Sequence, residues 1–432
     1  MQTKESLLIK NVTIVPMTKD QEMIEHGYIL IKDGLIQEVG SERPAALTAD
    51  QVIDGTNRVA IPGLINGHTH TPMSLLRGYR DDLPLMDWLQ EMWVIEGKMT
   101  ADDVYWASML SMIEMIESGT TTFSDMYFGL DEIAQAVDQA GLRALLCEAI
   151  METAGNGEER LQATIAFVEK WKQVGHSRIT PLLSPHAPYT CSPNMIEKIV
   201  QEAERLDCAI HTHLAETRQE MTIIANEYQE SPITLMEKTG LFSRPVIAAH
   251  GVYLSDQDIA ILQQHQAGLI YNPKSNMKLA SGIAPIAHLL EQGVRVGIGT
   301  DGSASNNALD MIEEMRFASL LQKVANEDAT ALSAYQTLAL GTSQGARALG
   351  IDQITGTIET GKQADITLID FDQPHLSPKN NIISHIIYSV KSTDITHTIV
   401  DGQVLLNNRQ LMTIDKEKVI WHINEIKERL LS

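Results

Sequence analysis

The sequence predicts an α/β chain: a (β/α)8 TIM-type barrel carrying a small β-sandwich built from both termini. Three observations predict it. Short apolar β-rich runs alternate with helical stretches over about 300 central residues, the grammar of a βα barrel rather than of a doubly wound sheet. β-rich pieces with Asp-Gly turns and no intervening helical stretches occur near the two ends of the 432-residue chain. Polar, metal-competent side chains close five of the eight central strand candidates, and barrel enzymes keep their chemistry at the C-terminal ends of strands.

The first piece, residues 1–60, reads as β-sandwich. "LLIKNVTIVPM", "GYILIKDGLIQEVG" and "QVIDGTNRVAIPG" are short strands, with hairpin turns expected at Asp33-Gly34 and Asp54-Gly55. Residues 61–360 read as the catalytic barrel. Its candidate strands are "RVAIPGLING", "TTTFSDMYF", "RALLCEAIME", "ITPLLSPHAPY", "CAIHTHLAET", "PVIAAHGVYL", "AGLIYNPKSN" and "VRVGIGTDGS". The helix "TADDVYWASMLSMIEMIESG" shows the connecting grammar: Thr100 caps it, Asp103 lies in its first turn and Gly119 ends it. Residues 361–432 return to strands in "GKQADITLIDFD" and "ITHTIVDGQVLLNN", with a third turn at Asp401-Gly402. The tail "KEKVIWHINEIKERLLS" has helical apolar spacing and a charged face.

Composition narrows the function. Apolar residues at 44% and charged residues at 21% describe a globular chain able to bury a large core. A formal charge of −23 argues against nucleic acid as a partner, since phosphate binding needs a basic surface. The three cysteines, Cys147, Cys191 and Cys208, make neither a disulfide framework nor a cysteine zinc cluster, which suits a reducing cytoplasm. There is no signal-peptide pattern, and no apolar run reaches the roughly 18 residues that cross a membrane. A cytoplasmic enzyme is expected, and the oligomeric state, a homo-oligomer included, stays open.

The chemistry begins at "INGHTHTPMSLLRG". Alternation along a strand puts His68 and His70 on one face. A single buried histidine is ordinarily a core residue with a backbone partner, but other strand ends add His186, His211, His213, Glu216, His250 and Asp301. Three imidazoles and a carboxylate at a barrel mouth suit Zn²⁺ or Fe²⁺ with room for water, hence metal-assisted hydrolysis. A carboxylate outside the ligand set must then move protons, and Glu216, three residues beyond His213 in "HLAET", is placed for it. Asp301 in "GIGTDGSASNN" is placed to touch both metal and water. His211 shares a face with His213 and stays open as the ligand in its place. His26, His176, His265, His288, His375, His385, His397 and His422 fall elsewhere and read as ordinary structural or surface residues.

The ordered set "GHTH", "HLAET", "AAHG" and "GTDGSASNN" resembles the amidohydrolase superfamily across the whole chain. The flanking "MSLLRG", "NPKSNMKLASGIAP" and "EMRFASLLQK" narrow the resemblance to its methylthioadenosine/S-adenosylhomocysteine deaminases. That resemblance implies His68, His70, His213 and Asp301 as ligands of one divalent metal, Zn²⁺ before Fe²⁺. It implies Glu216 as the carrier of the water's proton to purine N1, Asp301 as a second proton shuttle and His250 as the group that orients the attacking oxygen. It places His186 in the substrate pocket, Trp88 against the substrate and Glu96 on the ribose hydroxyls. Relatives with two metals bridge them by a modified lysine after the fourth strand; "LLSPHAPYT" has none, which favours a single metal. Relatives that take a homocysteine tail can use two arginines, whereas here Arg160 keeps one place and Glu148 stands at the other. The expected substrate is therefore a small purine nucleoside (5′-methylthioadenosine, S-adenosylhomocysteine or adenosine). The alternatives are another amino- or halo-substituted heterocycle such as guanine or a triazine and, more distantly, a non-catalytic scaffold.

Overall fold

The alternating runs at both ends pair with each other in the computed structural model, which describes residues 5–20, 22–41, 47–83 and 85–431. Strands β1 (Leu7–Ile14), β2 (Ile24–Lys32), β3 (Leu35–Gly40), β4 (Gln51–Asp54) and β5 (Arg58–Pro62) come from the N-terminal piece. Two sets follow: β6 (Leu64–Thr69), β7 (Thr120–Met126), β8 (Arg143–Cys147) and β9 (Ile179–Pro181), then β10 (Ile210–Leu214), β11 (Val246–His250), β12 (Gly268–Tyr271) and β13 (Arg295–Ile298). The C-terminal piece gives β14 (Ile366–Asp370), β15 (Ile395–Val400), β16 (Gln403–Asn407) and β17 (Gln410–Leu411).

Strands from the two ends share one nine-stranded sheet, joined where β14 runs antiparallel to β5 with Ile366 opposite Pro62. Its buried face unites Leu7, Ile9, Ile29 and Ile31 with Ile366, Leu368 and Ile399, so neither end completes this core alone. Asp33-Gly34 and Asp401-Gly402 each hold both residues at positive φ, the geometry that two-residue hairpins require. Asp54-Gly55 does not: Gly55 is not left-handed, and a Cβ there would lie 2.6 Å from Val12 Cβ, so this glycine serves close approach instead.

The run "RVAIPGLING" is two strands rather than one. It breaks at Gly63, where a Cβ would sit 2.1 Å from Thr121 Oγ1; β5 stays in the terminal sheet and β6 opens the parallel set. The order β6-β7-β8-β9 forms one parallel sheet and β10-β11-β12-β13 the other. A parallel bridge between Leu183 and Ile210 joins them at one seam. At the opposite seam Asp301 N–H donates to His68 O (2.9 Å) and Thr300 N–H donates to Asn66 Oδ1 (2.9 Å). The run "ITPLLSPHAPY" is a continuous strand only over Ile179–Pro181 and continues as isolated bridges at Leu183 and Pro185, because Pro181 and Pro185 bring no N–H to a ladder. The helix Ala101–Glu117 carries the expected capping box between Thr100 and Asp103, and Lys416–Leu430 is the terminal helix. Among the described residues no helix is long and apolar enough to cross a membrane.

One ion pair clamps the terminal sheet to the parallel one. Arg143, at the start of β8, donates through Nε and Nη2 to the two carboxylate oxygens of Asp365 (2.8 and 3.2 Å), with both side chains almost wholly buried. Asp365 Oδ1 also accepts Asp401 N–H. Removing one partner strands a buried charge, so Asp365→Ala is expected to lower stability by about 3–5 kcal/mol, read by denaturant unfolding. A loss below about 1 kcal/mol would show that the clamp is replaceable by water.

Candidate active site

Strand ends deliver the site, and the backbone is forced there. His250 (φ +81°), Asp301 (φ +60°) and Ala215 (φ +54°) are non-glycine residues in left-handed conformations, each at or just beyond a strand end. Such residues cost about 1–3 kcal/mol each and cluster where side chains must be aimed. Ala215 turns the chain so that Glu216 faces the cavity, and the buried Glu220 carboxylate holds that turn by accepting N–H of Ala215 and of Glu216, both at 2.8 Å.

Three imidazoles surround the centre. His70 and His213 each commit Nδ1 to a backbone carbonyl, Met126 O (2.5 Å) and His186 O (2.7 Å). A carbonyl only accepts, so both rings carry their proton on Nδ1 and aim an Nε2 lone pair inward. His68 Nε2 is fully buried without a hydrogen-bond partner, a costly arrangement for a polar atom unless something occupies the centre. Asp301 Oδ1 lies 3.1 Å from His70 Nε2 and 3.5 Å from His68 Nε2. Its Oδ2 accepts from Ser275 Oγ (2.6 Å) and Ser305 Oγ (3.0 Å). Ligand atoms of His68, His70 and Asp301 fall within 4.8 Å of one another, as do those of His68, His213 and His250. The donor set expected from the sequence therefore occupies two trios sharing His68, with His250 joining the second. Inward nitrogen lone pairs, an orphaned Nε2 and one carboxylate fit a divalent transition metal.

Charges around the centre are strongly displaced. Burial opposes the charged form of His70, but the hydrogen bond and charge of Asp301 prevail and lift its pKa to about 9, so a cation held here would displace the Nε2 proton to reach the lone pair. Burial likewise works against the Asp301 carboxylate, which the adjacent His68 and His70 rings nonetheless hold well below its ordinary range. Burial, followed by the negative charges of Asp301 and Glu220, pushes Glu216 well above the usual carboxyl range. Burial pulls His186 and His250 down to about 3. A carboxyl group raised toward neutrality suits proton transfer.

His250 Nε2 stands 3.7 Å from Glu216 Oε2, while its Nδ1 accepts from Asn276 Nδ2 (3.0 Å) and so leaves the ring proton on Nε2. His186 Nδ1 meets Thr190 Oγ1 (3.0 Å) and its ring lies 4.7 Å from that of His213. The cavity above is walled by Trp88, Glu96, Arg160, His186, Glu216 and apolar neighbours including Phe128 and Leu279. Glu96 accepts from Tyr127 Oη (2.6 Å), and burial raises its pKa. Glu148 is not part of the wall; it stands behind Arg160, which donates from Nη1 at 2.9 Å. His211 turns away from the cavity toward Ser124 (3.0 Å). Lys274 and Lys278 pair with Glu313 and Asp81.

The quoted motifs contain Ser275, Asn276 and Ser305, and a quoted strand run contains Tyr127, but spacing gives none of the four a role. Three of these follow strand ends, Tyr127 after β7 and Ser275 and Asn276 after β12. Treating every strand end as a site position, whether or not it carries histidine or carboxylate, is the signal that finds them.

The chain is similar to known proteins over nearly its whole length. The amidohydrolase family profile matches residues 59–405. A 5-methylthioadenosine/S-adenosylhomocysteine deaminase of Desulforudis audaxviator is 48% identical over 428 residues, covering 98% of this chain and 99% of its own. One of the same name from Carboxydothermus hydrogenoformans is 46% identical over 431 residues, 98% of each chain. The crystal structure of an adenosine deaminase from Xanthomonas campestris with bound zinc superposes with a TM-score of 0.93 at 33% identity, covering 98% of both chains.

Proposed function

The chain belongs to the amidohydrolase family, a hydrolase acting on C–N bonds, and on that premise we propose that it deaminates adenosine-type nucleosides at C6. The substrates are 5′-methylthioadenosine, S-adenosylhomocysteine or adenosine; water is consumed, and the inosine derivative and ammonia are released. The observation that carries this reading is Glu216: a buried carboxyl 3.7 Å from His250 at the edge of the histidine cluster. His68, His70, His213 and Asp301 would hold one divalent ion, zinc by the nitrogen-rich donor set and by likeness to the zinc-bound relative. When bound, such an ion would acidify water beside the reacting carbon and so supply the attacking oxygen near neutral pH.

The chain's own groups supply the rest. Glu216 accepts a proton from the attacking water and passes it to purine N1, which must gain one as C6 becomes tetrahedral. His250, with its proton on Nε2, donates to the attacking oxygen and fixes its approach. Asp301, steadied by Ser275 and Ser305, relays the proton that lets ammonia leave. Trp88 packs on the nucleoside and Glu96, braced by Tyr127, accepts from the ribose hydroxyls; His186 closes the base pocket. We take the two parallel sheets as one (β/α)8 barrel that begins at β6 rather than at residue 61 and runs to 360, with the strands through β5 and those of 361–432 forming the small β domain that the C-terminal helix follows, and a cytoplasmic location as suited to three buried free cysteines.

Arg160 is the pocket's free-standing cation only in appearance, because Glu148 already neutralises it. A carboxylate-bearing tail then meets an occupied guanidinium, so kcat/KM is expected to be higher for methylthioadenosine than for S-adenosylhomocysteine. Glu148→Arg removes the carboxylate that occupies Arg160 and frees its fork for a tail carboxylate; charge-assisted hydrogen bonds of about 1.5–3 kcal/mol predict a gain of about tenfold or more for S-adenosylhomocysteine alone. Wild-type preference for S-adenosylhomocysteine, weakened by Glu148→Arg, would instead assign Glu148 to the tail's ammonium group. The test of the whole reading is ammonia release from adenosine, both thio-nucleosides, guanine and a triazine, with metal content measured on the same sample. Turnover of guanine or the triazine with none of the adenosines would overturn it.

A further inference from the structure

His70 and His213 have their ring protons set by backbone carbonyls, which no side-chain substitution changes. His68 differs. Its Nδ1 lies 3.0 Å from His211 Nε2, and His211 Nδ1 lies 3.0 Å from Ser124 Oγ. All three residues are completely buried, on β6, β10 and β7. An imidazole and a hydroxyl can each donate or accept, so the direction of this chain is set by what His68 Nε2 must do at its far end. For Nε2 to offer a lone pair to a cation, Nδ1 must carry the proton and donate it to His211 Nε2. The His211 proton then sits on Nδ1 and is received by Ser124 Oγ.

We propose that His211 and Ser124 are positioning residues that hold His68 as its Nδ1–H tautomer, with Nε2 open to the metal. The proposal rests on the metal reading above. The partner of a metal-bound histidine is ordinarily a carbonyl or carboxylate; here two side chains perform that office in series, which makes this arm the one that substitution can unset.

The test is zinc affinity, measured by chelator competition on the full-length protein, together with the ¹⁵N signature of His68 in the loaded enzyme. His211→Leu keeps bulk but removes the acceptor, and zinc binding should weaken about 10- to 100-fold. His211→Gln restores an acceptor amide toward His68 and should stay within about threefold of wild type. Ser124→Ala, a small change that spares the fold, should weaken binding about two- to tenfold by leaving the His211 N–H unpaired. The loaded wild type should show His68 protonated on Nδ1. Equal zinc affinity for wild type, His211→Leu and Ser124→Ala would overturn the proposal, as would equal loss in the Leu and Gln variants or a His68 proton on Nε2. Failure of the wild type itself to hold zinc would overturn the metal reading and this proposal with it, a result distinct from the others.

Discussion

Glu216→Gln is expected to lower kcat by about 10²–10⁴-fold while leaving metal content at the wild-type value. The amide keeps the shape of the side chain, and the turn that aims it is held by Glu220 through backbone N–H groups that the substitution does not touch. What disappears is the capacity to accept a proton and hand it on. Burial and the neighbouring carboxylates raise this carboxyl well above its usual range, so the wild-type group retains a proton readily once it has gained one. KM should change little, because the loss falls on the chemical step. The measurement is kcat with methylthioadenosine beside metal analysis of the same preparation. Loss of metal in the variant would move Glu216 into the ligand set, and unchanged kcat would move proton transfer to another group.

Removing the metal should be at least as severe. Exhaustive chelation is expected to lower turnover by about 10³-fold or more, and close to one equivalent of zinc per chain should restore it. The expected stoichiometry rests on geometry as well as sequence: the two ligand trios share His68, and residues 182–190, directly after β9, hold no lysine to bridge a second ion. Two tightly held ions per chain would contradict a single centre. Full activity after complete chelation would remove the metal from the reaction altogether.

Much of the site is legible in the order of residues. The HxH pair of His68 and His70, Glu216 three residues past His213 and Asp301 after the eighth strand are local spacings, and a βα architecture carries strand ends to a common face. Grouping by strand end therefore indicates which distant residues meet. It does not indicate which of two neighbours on one strand will serve. His211 and His213 share a face by alternation, yet only His213 lines the cavity, since His211 is taken up by His68 and Ser124 from other strands. Glu148 illustrates the same limit. Its charge is plain in the sequence, but its place behind Arg160 depends on a contact made across twelve residues and a change of element.

Element types, the grouping of residues into one chemistry-bearing set and the family follow from the sequence alone, because periodicity, turn residues and short motifs are properties of neighbouring positions. The break at Gly63, the Arg143–Asp365 clamp, the raised carboxyl of Glu216 and the side chains that orient each ligand come from tertiary contacts. Those depend on what crowds, buries or charges a group from elsewhere in the chain. Desolvation and hydrogen bonding are set by the three-dimensional neighbourhood, which no local pattern of residues contains.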